Sequence, residues 1–192
     1  MRQIILASSS RYRQQQLNQL NLEFRSIDPD VDETLLKTQI SDHIALSQAL
    51  SRLKADSIKR LHPEAIIIAG DQIASFQHRI LSKPITEANA FQQLRALSGQ
   101  QHRLISSIVI YADGQEYINS HIATLQMRAL SDQQIDRYIA QDQPLHSCGA
   151  YRIEAQGIAL FESLDCEDFS AIVGLPLIWT ANILNQLGIA VP

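Results

Sequence analysis

Short apolar runs and helical apolar stripes alternate along this chain, and their order predicts its elements. Residues 3–7 and 65–69 (Ala-Ile-Ile-Ile-Ala) are brief runs of small and β-branched side chains, as expected of buried strands. The first leads directly into Ser8-Ser9-Ser10-Arg11-Tyr12-Arg13 and a polar helix that turns Tyr12, Leu17 and Leu20 inward. Residues 23–27 form a second strand, followed by the acidic loop Asp28-Pro29-Asp30-Val31-Asp32-Glu33. Ser41 or Asp42 then caps a helix in which Leu46, Leu50 and Leu53 make one stripe, with Lys54 beside its end.

The run at 65–69 ends in Gly70-Asp71-Gln72, and residues 76–81 fold back as a short hairpin that brings Lys83 toward Asp71. Pro84 and Thr86 open a helix with Phe91, Leu94 and Leu97 on one face and Gly99 at its left-handed cap. Residues 104–112 and 116–127 are strands joined across Asp113-Gly114, the strongest hairpin signal in the chain. Ser131 and Gln134 make a capping box, with Leu130 and Ile135 spaced as a hydrophobic staple. Residues 144–162 read as a loop with paired charges and a short apolar strand at 158–161. If that loop is extended, Arg152 and Glu154 share one face, either as a simple ion pair or as the lining of a pocket. The last helix follows Gly174-Leu175-Pro176, with Ile178, Ala181 and Leu184 inward and Gly188 closing it. This order predicts an α/β fold, a mixed twisted sheet flanked by helices, as one domain over residues 1–192.

Composition narrows the function classes. With 45% hydrophobic and 19% charged residues, and only 7 Gly and 6 Pro, the chain is that of an ordinary globular protein. A net charge of -4 gives no general basic field for a nucleic-acid polymer, so a phosphate ligand must meet a local cluster of Lys and Arg. Cys148 and Cys166 lie too far apart for a Cys-x-x-Cys motif and imply no disulfide or zinc framework. The apolar stretch after the N-terminus is too short for a signal peptide or a membrane span, which predicts a soluble, cytoplasmic protein. Rossmann, P-loop and nucleophile-elbow signatures are missing.

Two places carry candidate chemistry. A carboxylate at the end of a buried strand, Asp71, is seldom there for packing, although Gly-Asp also marks turns. Three serines at a helix start favour an anion, and two arginines in the first turn oppose the helix dipole unless an anion lies between. A phosphate is one such partner; a serine cap with two solvated arginines is the other reading. The loop at 28–33 is either solvated or lends one carboxylate to a hard divalent cation.

The motifs Leu6-Ala7-Ser8-Ser9-Ser10-Arg11-Tyr12-Arg13, Val31-Asp32-Glu33-Thr34, Gly70-Asp71-Gln72, Ser82-Lys83-Pro84 and Val173-Gly174-Leu175-Pro176 together resemble the Maf family of nucleoside triphosphate pyrophosphatases. Each is weak alone; five in order span nearly the whole chain. The resemblance implies a two-lobed architecture like that of inosine triphosphatase and a homodimer that hydrolyses a nucleoside triphosphate to monophosphate and pyrophosphate with Mg²⁺ or Mn²⁺. It implies Asp71 as general base, metal ligand or both, Glu33 as metal ligand, and Ser8, Ser10, Arg13, Lys54 and Lys83 around the triphosphate. Within the family the chain looks most like the 7-methyl-GTP branch, through the aromatic Tyr12 and the acidic Glu154, with Gln72 as a third branch-dependent position. N7-methylation makes guanine cationic, so its faces suit an aromatic ring and its N1–H and N2–H₂ edge suits a carboxylate. A dTTP, UTP or CTP pyrophosphatase of the same family, and a nucleotide-binding regulator linked to cell division, are the competing readings. Arg11 departs from the family's usual proline, which leaves Arg13 as the matching arginine and Arg11 as a further phosphate contact or a solvated side chain.

Overall fold

In the computed structural model, which describes residues 2–191, the apolar runs form strands. β1 (Ile4–Ala7) pairs in parallel with β2 (Arg25–Ile27) and with β3 (Ile66–Phe76). β4 (Arg79–Leu81), β5 (Gln101–Ala112), β6 (Gln115–Met127) and β7 (Phe161–Asp165) complete the sheet, in the order β2-β1-β3-β5-β6-β7 with β4 antiparallel beside β3. β6 and β7 are also antiparallel, so the sheet is mixed as the element order predicts. The helices are α1 (Arg11–Asn18), α2 (Thr34–Gln39), α3 (His43–Lys59), α4 (Glu87–Leu97), α5 (Asp132–Asp142), α6 (Phe169–Val173) and α7 (Leu177–Gln186). Among the described residues no helix is long and apolar enough to cross a membrane.

The chain groups into two compact units: one holds the chain up to Gln72, residues 105–121 and Asp168 onward, and the other holds residues 73–104 and 122–167. In the first unit, strand alternation divides the core. Ile4, Leu6, Ile66, Ile68, Ile108 and Ile110 point to one face, against Leu17 of α1 and Ile183 and Leu184 of α7. Ile5, Ala7, Ile67, Ala69, Val109 and Tyr111 point to the other, against Ala55 and Ile58 of α3. Burial on both faces is why residues 65–69 read as an unbroken apolar run. In the second unit α4 packs on α5 through a buried set that includes Leu94, Leu97, Ile135 and Ile139. The capping box at Ser131 and the left-handed Gly99 are both present, and Asp113-Gly114, both at positive φ, close the β5–β6 hairpin.

Several expectations fail for identifiable reasons. β3 does not stop at Gly70-Asp71 but continues to Phe76, where Gln77 and His78, both at positive φ, make the turn into β4. Tyr12 is 37% exposed and Ile178 60% exposed; on α7 the expected Leu184 is buried, joined by Leu177, Thr180 and Ile183. Residues 158–161 are not a strand: Gln156–Leu160 is a 3₁₀ turn and β7 starts at Phe161. The helices α2 and α6, of six and five residues, are too short for a helical period to register.

Candidate active site

Alternation along β3 decides what Asp71 faces. It continues the series Ile67, Ala69, Asp71 and so turns toward α3, where it is 8% exposed. Lys54 meets it there. α3 runs on to Lys59, so Lys54 sits inside the helix on the stripe of Ser47 and Ser51, not beside its end. Its Nζ donates to Asp71 Oδ1 at 2.5 Å and pairs with Glu33 Oε1 at 2.8 Å. Glu33 opens α2, and Lys37 one turn later holds its other oxygen at 2.6 Å. Partial burial opposes ionisation of Glu33, but the hydrogen bonds and charges of Lys37 and Lys54 outweigh it and hold its carboxyl below the usual range.

The opposite side of β3 carries Gly70 and Gln72. Arg13 lies beside Gly70 and donates from Nε to the Gly174 carbonyl at 2.9 Å. Burial lowers the basicity of its guanidinium, while the charges of Asp71 and Glu33 oppose that loss. Arg11 is exposed, which leaves Arg13 as the arginine of this cluster. Ser10 caps α1 by accepting from the Arg13 N–H at 3.4 Å, and Ser8 Oγ accepts from the Ser10 N–H at 3.1 Å. Gln72 spends its amide N–H groups on Ser106 Oγ and the carbonyls of Ala171 and Ile172, at 2.9–3.0 Å. Its side chain thereby ties α6 to β3.

Gly70 is required by close approach. A Cβ there would lie 3.0 Å from the Ser107 carbonyl, a backbone oxygen that also accepts from Ser51 Oγ, so the neighbouring strand would have to give by a few tenths of an ångström. Gly70→Ala is expected to destabilise the fold by about 1–3 kcal/mol, read from urea unfolding followed by fluorescence of the single tryptophan, Trp179. An unchanged midpoint would refute the steric argument.

A buried set of serines supports Asp71 from behind. Ser47 Oγ donates to the Asp71 carbonyl at 3.2 Å and accepts from the Ser107 N–H at 3.2 Å, while Ser51 Oγ donates to the carbonyls of Ser47 and Ser107. Lys37, Gly174 and these serines are site residues that motif reading did not assign. The serines left one signal: polar residues on the buried stripe of a helix.

The structure therefore brings together Ser8, Ser10, Arg13, Glu33, Lys54 and Asp71 in the first unit. Tyr12 lies exposed on α1 of that unit. Lys83 and Glu154 belong to the second unit and are exposed there, Lys83 just after β4 and Glu154 in a turn. Arg152, read as either pairing with Glu154 or lining a pocket, holds Asp142 through Nε at 3.1 Å and through its terminal nitrogen at 2.6 Å. The segment is turned at 153–155, so the two residues do not share an extended face.

For a divalent cation, Asp71 and Glu33 offer hard carboxylate oxygens already arranged around one positive charge, that of Lys54. Among the described residues no group of three His, Cys, Asp or Glu is placed to hold a metal. Two carboxylates fit Mg²⁺ or Mn²⁺, which keep waters and take further oxygens from phosphate.

The model of the Maf-like protein family matches residues 3–187. A protein of Bdellovibrio bacteriovorus named 7-methyl-GTP pyrophosphatase is 38% identical, covering 96% of this chain and 97% of its own. One of the same name from Bordetella avium is 40% identical over 97% and 93%. A protein of Ruegeria pomeroyi named nucleoside triphosphate pyrophosphatase is 37% identical over 97% and 96%. A solved HAM1 protein from Coxiella burnetii aligns at 18% identity with a TM-score of 0.42, over 66% of this chain and 73% of that one.

Proposed function

Because the chain belongs to the family of Maf-like proteins, we propose that it hydrolyses 7-methyl-GTP to 7-methyl-GMP and pyrophosphate, removing a modified nucleotide from the pool. The observation that supports this reading is the half-buried Lys54 holding Asp71 and Glu33 together, with Lys37 on Glu33 and Arg13 nearby: two acids among three cations. A site that only bound a triphosphate would need the cations and not the acids. Asp71 Oδ1 is taken by Lys54, and its second oxygen takes the proton of a water that attacks the α-phosphorus. The bond from the α-phosphorus to its bridging oxygen breaks, and pyrophosphate leaves. Arg13, Lys54 and Lys83 stabilise the negative charge on the triphosphate and the leaving group, and Ser8, Ser10 and the start of α1 set its register. Glu33 and Asp71 would hold Mg²⁺ or Mn²⁺, which when bound withdraws charge from phosphate oxygens. Tyr12 stacks on the cationic base, Glu154 accepts from its N1–H and N2–H₂ edge, and Gln72 is a third branch-dependent position. The cytoplasm as its location and a homodimer as its assembly complete the proposal.

The test is a panel of 7-methyl-GTP, GTP, UTP, CTP and dTTP, with released pyrophosphate measured with and without Mg²⁺ or Mn²⁺. The highest kcat/KM is expected on 7-methyl-GTP; a preference for UTP or dTTP would overturn the substrate. Glu154→Gln exchanges a charged acceptor for a neutral one and is expected to lower the ratio of 7-methyl-GTP to UTP kcat/KM by about ten- to a hundredfold, the range of a charge-assisted hydrogen bond. A ratio that stays put removes Glu154 from base recognition.

A further inference from the structure

Glu154 stands on a turn whose backbone is fixed from several sides. Residues 152–155 close by an Ala155 N–H to Arg152 carbonyl hydrogen bond of 3.1 Å, with Ile153 and Glu154 in the centre. The Gly157 N–H binds the same carbonyl at 2.9 Å, and a Cβ on Gly157 would lie 2.4 Å from that oxygen, so the wrap around Arg152 admits only glycine there. Ile153 is buried at 5% exposure, while Glu154 is exposed. The turn thus presents one carboxylate outward from an anchored base.

Beneath it lies a charged group that the proposed chemistry does not use. Asp142, at the end of α5, is only 4% exposed. It accepts from Arg152 Nε and its terminal nitrogen at 3.1 and 2.6 Å and from the Tyr138 hydroxyl at 2.8 Å. The Tyr138 oxygen in turn accepts from the Arg152 backbone N–H at 3.0 Å. Burial works against ionisation of Asp142, but Arg152, Tyr138 and the Gln156 backbone N–H together keep its carboxyl below the usual range. Asp142 therefore grips the start of the turn twice, through the Arg152 guanidinium directly and through the Tyr138 hydroxyl that binds the Arg152 N–H. The residue at the head of the turn is held separately: the Tyr151 hydroxyl lies 2.8 Å from His102 Nε2, and its ring packs edge-on against Phe161 at 5.0 Å.

A buried carboxylate spent on the residue that opens a surface turn costs desolvation that an apolar residue at 142 would avoid. What the arrangement supplies is a fixed direction for Glu154 in that turn. We propose that Asp142, through Arg152 and Tyr138, is a positioning residue for Glu154 and so sets the preference for 7-methyl-GTP. This rests on the reading of Glu154 as acceptor for the base edge. Pre-set geometry matters because a carboxylate on a loose turn must lose conformational freedom on binding, and a small misplacement costs affinity steeply.

The experiment measures kcat and KM for 7-methyl-GTP and UTP in Asp142→Asn, Tyr138→Phe and Glu154→Gln, and in each of the first two combined with Glu154→Gln. Asp142→Asn is expected to lower the 7-methyl-GTP to UTP ratio of kcat/KM about tenfold through KM for 7-methyl-GTP, with kcat/KM for UTP within about twofold. In the Glu154→Gln background neither substitution is expected to move the ratio further, the signature of residues acting through one another. Tyr138→Phe deletes only the hydroxyl shared by Asp142 and Arg152, so it carries the test if Asp142→Asn does not fold. Equal losses on both nucleotides, or an unchanged ratio where Glu154→Gln lowers it, would overturn the positioning role. If Glu154→Gln itself leaves the ratio unchanged, the base-reading assignment fails and the positioning role falls with it.

Discussion

Asp71→Asn is expected to lower kcat on 7-methyl-GTP by about a hundred- to ten-thousand-fold, the usual worth of a positioned general base, without raising KM. Asparagine keeps the shape of the side chain and an oxygen that can accept from Lys54 Nζ, so the 2.5 Å contact has a substitute. It loses the basicity and the charge. A negative charge repels a triphosphate, so its removal does not weaken the direct attraction of the site for the phosphates; at saturating Mg²⁺ or Mn²⁺ a loss confined to kcat therefore marks an interaction made in the transition state. Tryptophan fluorescence during urea unfolding would establish that the variant folds, and titration with 7-methyl-GTP that it binds. Turnover at the level of the unsubstituted enzyme would remove Asp71 from the chemistry, whatever the cluster looks like.

The reason Asp71 could be found from sequence, and yet misplaced, lies in Gly70. An apolar run closing in Gly-Asp reads as a strand that ends in a turn, because both residues favour turns. The glycine is there for a different reason, the carbonyl of Ser107 in the adjacent strand, and that neighbour is 37 positions away in the chain. Local pattern finds the strand and the acid; only the tertiary contact shows that the strand continues. Arg13 was similarly half legible. Two arginines in the first turn of a helix raise the question of an anion, but in the structure it is the Gly174 carbonyl, at the C-terminal end of α6, that distinguishes Arg13 from Arg11. Lys54 carried its signal in periodicity, since a lysine in register with Ser47 and Ser51 on a helix that buries Leu46 and Leu50 is placed inward. Asp142 left none: an acid on α5 and an arginine ten residues later are joined by folding alone.

Lys54→Met should be the more instructive loss, because it separates what the lysine does for the phosphates from what it does for the acids. Methionine keeps the bulk of the apolar stem and deletes the ammonium that joins Asp71 to Glu33. The transition state then lacks one pre-oriented cation, and kcat/KM on 7-methyl-GTP is expected to fall about a hundred- to a thousandfold. Stability falls as well. Stripping one partner from a fully buried pair costs about 3–5 kcal/mol, an upper bound here because Glu33 keeps Lys37 and is partly exposed. The pH dependence gives the sign. Ionised Glu33 contributes stability that is complete above the usual carboxylate range and is lost as pH falls through its depressed pKa. Without Lys54 that pKa moves up, the window in which Glu33 helps the fold narrows from the acid side, and the midpoint of acid unfolding shifts to higher pH. A Lys54→Met enzyme with reduced turnover but an unmoved acid transition would confine the lysine to the phosphates; an acid transition that moves with turnover intact would confine it to the fold.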